Sequence, residues 1–180
     1  MAISRAHIRN TVTAYLDAHP EDKAHLDVVL GLLDGGADLT SRAEMLGHVT
    51  AGAILADLDG QVLHIHHNAL NRWLLPGGHL EDVDDDLAGA ALRELVEEAG
   101  LDGGAVALAE PRPVHIDVHP IPANPAKGEG AHLHVDFRYL FRLERDAPVT
   151  LQAEEVSGYA WKTPDTIADD TLRDRVLRLI

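Results

Sequence analysis

The segment from Pro76 to Leu101 constrains this chain more than any other, because it runs a glycine turn, Pro76-Gly77-Gly78-His79-Leu80-Glu81, into a helix with three glutamates on one side. Asp84, Asp85 and Asp86 offer an N-cap and favourable charge at the positive end, Leu87, Ala91, Leu95 and Ala99 recur near helical spacing, and Gly100 supplies the stop. These signals predict a capped helix of about three to four turns. Glu94, Glu97 and Glu98 stand at i, i+3 and i+4, so their carboxylates are neighbours on one face and repel each other. Glu97 and Glu98 also fall in the last turn, where the helix dipole disfavours an anion by roughly 0.3 to 1 kcal/mol. A bound cation offsets both penalties. Hard cations such as Mg2+ or Mn2+ take oxygen ligands and keep positions open for phosphate oxygens. An acidic helical run on its own is most often a solvated face, so the flanking residues decide.

Those residues resemble the Nudix box, a pattern of Gly, five residues, Glu, seven residues, then Arg-Glu-U-x-Glu-Glu-x-Gly-U with U aliphatic. Arg93-Glu94-Leu95-Val96-Glu97-Glu98-Ala99-Gly100-Leu101 fits its second half at every specified position. The first half departs from it: counted from Gly78, the fixed glutamate falls on Asp84 and Arg93 arrives one residue late. Counted back from Arg93, the same place falls on Asp85 and the glycine on His79. One extra residue in the loop accounts for this and leaves the acid bracing the loop as Asp84 or Asp85.

The resemblance implies a Nudix fold, an α+β class α/β/α sandwich with a mixed sheet. It also implies hydrolysis of a nucleoside diphosphate linked to another moiety, or of a related organic pyrophosphate, with Mg2+ or Mn2+. Glu97 and Glu98 would then be metal ligands, Glu94 a further ligand or the base, the Gly77 carbonyl a further ligand, and Arg93 the residue that holds the carboxylates in place. Enzymes of this family often draw an extra carboxylate from outside the box, and Glu154 with Glu155 is the candidate pair. The alternative on the same fold is a sensor that binds a nucleotide without cleaving it, although such a binder has no chemical need of the full Arg93, Glu94, Glu97 and Glu98 set. Isopentenyl diphosphate isomerase chemistry relies on a cysteine in this family, and the chain has none.

The 180 residues, 46% of them hydrophobic, suffice for one sizeable core. A formal net charge of −15 argues against long nucleic acid, whose phosphates the chain would repel. Zero cysteines remove thiolate sites and fit a reducing compartment. No apolar run approaches the ~18 residues that span a bilayer. Met1 to Asn10 lacks the apolar centre of a signal peptide. The expected partner is a small phosphorylated metabolite, a nucleotide by class, with no membrane, and the expected location is the cytoplasm.

Two amphipathic stripes open the chain: Ile3, Ile8, Val12, Tyr15 and Leu16, then Leu26, Val29, Leu30 and Leu33, separated by Pro20. They predict an N-terminal helical extension over residues 1–45, ahead of a Nudix domain at 46–180. The helical pair packs on the core in the simplest reading; capping the cleft or building a homodimer interface are the alternatives. From His48 the texture turns to strands: 49–57, an Asp59-Gly60 turn, 61–67, then after the box helix 105–109, 112–119 and 131–143. Helices are expected from Pro164 and over 171–179.

The last long strand places His132, His134, Asp136 and Arg138 on one face and Leu133, Val135, Phe137 and Tyr139 on the other. The polar face suits a cleft, where His132 and His134 would meet substrate phosphate or base, Asp136 would orient a histidine, and Lys127 in the preceding Pro/Gly-rich loop would meet phosphate. Among the remaining histidines, His64, His66, His67, His115 and His119 hint at a zinc or nickel site, but the sequence fixes no third ligand.

Overall fold

A computed structural model describes residues 3–125, 128–152 and 154–180. Two helices lead, α1 (Arg5–Ala18) and α2 (Lys23–Asp34), with a 3-10 turn at Pro20–Asp22 between them. Ser4 caps α1, its side chain accepting the His7 N–H at 3.1 Å. Then follow β1 (Gly47–Ala56), β2 (Val62–His67), β3 (Arg72–Leu74) and β4 (Gly77–His79). The box helix α3 spans Leu87–Ala99, and β5 (Val106–Leu108), β6 (His115–Ile121), β7 (His132–Leu143), β8 (Val156–Lys162) and α4 (Asp170–Leu179) complete the chain. The helix expected from Pro164 is only a 3-10 turn, Pro164–Thr166, because the chain leaves helical geometry at Ile167 before Asp169 caps α4.

The mixed sheet is ordered β3-β2-β1-β7-β5, with β4 added to β1, β6 to β7 and β8 to β2. At its centre β1 and β7 run parallel from Gly47 opposite Leu133 to Ala56 opposite Arg142. Their alternation divides the core. Val49, Ala51, Ala53 and Leu55 share one cluster with Val135, Phe137, Tyr139 and Phe141 and with Leu87, Ala91 and Leu95 of α3. Ile54 and Leu140 point the opposite way, into a second cluster with Leu172 and Val176 of α4. Helices therefore cover both faces, which makes the chain the expected α/β/α sandwich.

The leading helices do not stand apart from this core. Ile8, Val12, Tyr15, Leu26, Val29 and Leu33 are buried in the same cluster as β1, β7 and α3. Tyr15 hydrogen-bonds Asp22 and Arg175, tying α1 to α4. Among the described residues no helix is long and apolar enough to cross a membrane.

Candidate active site

Helix α3 is set by its ends and its apolar face. Asp86 caps the start, its carboxylate accepting the Gly89 N–H at 2.7 Å, and Gly100 closes the end in the left-handed region at φ 57°. Burial of Leu87, Ala90, Ala91, Leu95 and Ala99 fixes the rotation of the helix, which turns the glutamates toward β4.

Arg93 is the hub of the site. Its Nε donates to Asp84 Oδ1 at 2.9 Å and its Nη2 to Asp84 Oδ2 at 3.0 Å, with a further bond from Nη2 to the His79 carbonyl at 2.9 Å. Its Nη1 reaches Glu94 and Glu97, each at 3.0 Å. The acid that braces the loop is thus Asp84, which also accepts the Glu81 N–H at 2.7 Å. Burial works against ionising Asp84, yet the bonds from Arg93 and the Glu81 N–H prevail and hold its carboxyl below the usual carboxylate range. The extra loop residue is absorbed between β4 and α3, in a turn closed by the Asp84 N–H donating to the Glu81 carbonyl at 3.0 Å.

Glu98 is buried, and its Oε2 accepts the Gly77 N–H at 2.9 Å. Burial pushes its carboxyl up to about 7 against that hydrogen bond, with the charges of Glu94, Glu155 and Glu97 adding to the rise. Burial also raises Glu94, even though Arg93 lies against it. Glu97 remains half exposed. The backbone approaches this cluster closely: a Cβ on Gly78 would fall 2.5 Å from Glu94 Oε1, and one on Gly77 would fall 2.8 Å from the Gly52 Cα. Three carboxylates lie beside the glycine turn, two of them with raised pKa, though their oxygens are not drawn together within 4.8 Å as one group among the described residues, so a cation would have to gather them. All their ligating atoms are oxygens, which suits a hard divalent cation.

A long cleft opens from these carboxylates. Glu154 and Glu155 line it together with Glu94, Glu97 and Glu98, so the acidic pair outside the box reaches the same space. His132, His134 and Asp136 line it as well. Asp136 orients no histidine in a direct bond: its carboxylate accepts from Thr50 Oγ1 at 3.2 Å and from Arg138 Nε at 2.7 Å. On the neighbouring strand His119 is held by an acid, paired with Asp117 at 2.8 Å. His132 Nδ1 faces the Gly130 carbonyl at 2.8 Å, a contact that places its proton on Nδ1. Lys127 lies outside the described residues. His64, His66 and His67 have local partners in the Val62 carbonyl, Ser157 and the Leu70 N–H, and they do not gather as one ligand group among the described residues.

Two residues of the cleft carry no local sequence signal, His48 and His79. Both meet His134, with ring centroids 4.8 Å and 5.3 Å away. His48 stands opposite His134 only through the parallel register of β1 and β7, which residue order does not reveal.

Comparison with known proteins agrees with the geometry. A Lactococcus lactis protein described as a probable DHNTP pyrophosphohydrolase is 30% identical over 142 residues, 76% of this chain and 76% of that one. Xenopus laevis nucleoside diphosphate-linked moiety X motif 6 is 32% identical over 99 residues, 54% of this chain and 45% of that protein. A NUDIX family hydrolase from Clostridium perfringens shares the fold with a TM-score of 0.54 at 22% identity, covering 74% of this chain and 98% of that one. The MutT NUDIX hydrolase from Burkholderia pseudomallei gives a TM-score of 0.51, also at 22% identity, covering 73% and 97%. The NUDIX domain family model matches residues 46–179, and the chain belongs to that family.

Proposed function

We propose that this Nudix hydrolase cleaves a phosphoanhydride bond in a nucleoside diphosphate linked to another moiety, or in a related organic pyrophosphate, with Mg2+ or Mn2+. The observation that carries the reading is the single guanidinium of Arg93, which holds Glu94 and Glu97 while Glu98 is fixed on the Gly77 N–H. Glu97 and Glu98 are the ligands we assign, with Glu94 as a further ligand or the base, and the Gly77 carbonyl beside them. When bound, the cation neutralises phosphate oxygens and orients the attacking water.

The chain's own residues supply the positioning. Asp84 holds Arg93 by two bonds, so the guanidinium cannot swing away from the carboxylates it aligns. Glu94, largely kept from solvent and raised in pKa by burial, is a stronger base than an exposed carboxylate. Glu154 or Glu155 supplies the further acid at the cleft, and the negative charge of Glu155 already acts on Glu98. His132 and His134 line the part of the cleft where the remainder of the substrate would lie, Asp136 steadies that wall through Thr50 and Arg138, and Lys127 in the adjoining loop would meet phosphate.

The test is release of phosphate or nucleotide from a panel of nucleoside diphosphate derivatives, with DHNTP included because of the Lactococcus relative, run with Mg2+ or Mn2+ beside Glu97→Gln. Metal-dependent turnover that disappears in Glu97→Gln supports the assignment. Nucleotide binding without turnover on any member would replace it with a non-hydrolysing sensor.

A further inference from the structure

We propose that His48, His79 and His134 form a second metal site, for a divalent transition metal of the zinc class, separate from the carboxylate site on α3. One nitrogen from each of the three rings lies within 4.8 Å of the others. The three residues come from three adjacent strands: His48 of β1 stands directly opposite His134 of β7, and His79 of β4 stands opposite Thr50, two residues along β1. A paired sheet holds such donors more rigidly than loops would.

His48 supplies the independent observation. It is only 4% exposed, its ring packs against His79, His132 and His134, and neither ring nitrogen has a partner at full hydrogen-bond geometry among the described residues, the Glu44 backbone lying near enough only to oppose the downward shift that burial gives its pKa. A buried, unsatisfied polar group costs about 1–3 kcal/mol. Aromatic packing alone would be met more cheaply by phenylalanine or leucine. A ligated metal answers both the missing partner and the choice of imidazole.

The donor chemistry selects the ion. Three neutral imidazoles with no carboxylate among them favour Zn2+, Co2+, Ni2+ or Cu2+ over Mg2+. The site's most buried ligand is set along β1 from the glycine turn that faces the carboxylates. His48 is four residues along β1 from Gly52, the partner of Gly77, which is about 13 Å of strand.

The other compact ligand group, His115 with Asp117 and Asp169, is already committed within the protein. Arg175 donates to His115 Nδ1 at 3.2 Å, and His119 holds Asp117. It therefore lacks the unmet nitrogen that distinguishes His48.

Three protein ligands leave a fourth position, and all three histidines line the same cleft as Glu94 and Glu98. The site would present that position to water or to a donor atom on the substrate. It would also stiffen the turn that supports Arg93, because the His79 carbonyl accepts a bond from Arg93.

The experiment is zinc uptake by the chelator-stripped full chain, measured by equilibrium dialysis, with cobalt as a visible-absorption probe of the ligand set. It compares wild type with Glu97→Gln/Glu98→Gln and with His48→Leu and His134→Gln. The expected result is one tightly held zinc ion per chain that survives in the glutamate variant. In either histidine variant its affinity should fall by at least the roughly 100-fold that changes beyond the ligands themselves already reach, and the cobalt bands should vanish. Zinc bound by His48→Leu as tightly as by wild type, or zinc lost with the glutamates, overturns the proposal, as does wild type that takes up no zinc. Far-UV circular dichroism checks the fold, and His79→Gln, at a less buried position, answers the same question if His48→Leu does not fold.

Discussion

Arg93 and Asp84 are joined by two parallel hydrogen bonds of 2.9 and 3.0 Å, and the partner carboxylate is almost wholly buried. This pair transmits the order of the loop to the carboxylates we assign to the metal, since the same guanidinium reaches Glu94 and Glu97. Asp84→Asn keeps the shape but cannot accept both bonds as a charged partner. We expect kcat to fall about 10- to 100-fold, the range for outer partners of a metal site, with circular dichroism unchanged. Asp85→Asn leaves both Arg93 bonds in place and should stay within about twofold of wild type. The same kinetic assay on both variants decides it: equal losses would remove Asp84 from its special role.

Glu98 separates activity from stability. Above neutral pH the metal-free protein carries this buried carboxylate ionised beside two other glutamates, at an energetic cost. Glu98→Gln keeps an acceptor for the Gly77 N–H and removes the charge. In chelator, its Tm should rise, by about 2–4 °C for each kcal/mol relieved in a chain of this size. Its metal-dependent kcat should fall at least about 100-fold, the scale of losing one preorganised charge. Thermal melts and turnover on the same preparation check both halves. A lower Tm in chelator would show that the charge is compensated within the protein.

The two turn glycines fail in different ways. A Cβ at Gly78 meets only the far end of the Glu94 side chain, which can move aside; a Cβ at Gly77 meets the backbone of Gly52 and Ala51 at 2.8 and 2.9 Å. Gly78→Ala should therefore fold with little change in Tm and lose most of its kcat, because Glu94 is displaced. Gly77→Ala should lose stability, by about 1–3 kcal/mol as overpacking typically costs. Urea denaturation of both variants gives the comparison, and similar midpoints would contradict it.

Much of this was legible in residue order, and the reasons are local. The N-cap at Asp86, the stop at Gly100 and the i, i+3, i+4 glutamates are short-range signals, and the helix forms where they place it. The alternation of β7 likewise separates Phe137 from His134. The choice between Asp84 and Asp85 depended on how a turn closes in three dimensions. His48 and His79 were invisible because their meeting with His134 rests on strand register across 86 and 55 residues of chain. Spacing shows that Asp136 shares a face with His132 and His134, but not that Arg138, two residues away, captures its carboxylate.

The pair formed by Asp117 and His119 predicts a window of pH. The hydrogen bond from His119 holds the Asp117 carboxyl down at about 2, against an ordinary value of 3.8, despite burial, and the same contact raises His119 above 6.5. Asp117 thus contributes stability that is complete above about pH 4 and lost as the pH falls to 2. The raised histidine contributes below its ordinary 6.5 and loses this as the pH rises through its folded value. The stability gap between wild type and Asp117→Asn should be widest between about pH 4 and 6.5, reach at most about 2 kcal/mol, and narrow on both sides. Urea melts across pH 2 to 9 measure it, and a gap that stays constant would exclude the ion pair as its source.

The first two helices make a stronger claim on stability than their position outside residues 46–179 suggests. Ile8, Val12, Tyr15, Leu26 and Val29 have no exposed surface, and their burial is shared with β1, β7 and α3. Removing residues 1–45 would uncover apolar residues of that cluster, including those of β6 against which α2 lies. We expect the 46–180 fragment to unfold without a cooperative transition or to aggregate. In the full chain, Ile8→Ala should cost about 2–5 kcal/mol with no change in KM, since Ile8 lies outside the cleft. Calorimetry of the fragment and of Ile8→Ala makes the test. A fragment that melts cooperatively at the full-length Tm would show that the helices are an appendage, and that the sheet and α3 hold the site unaided.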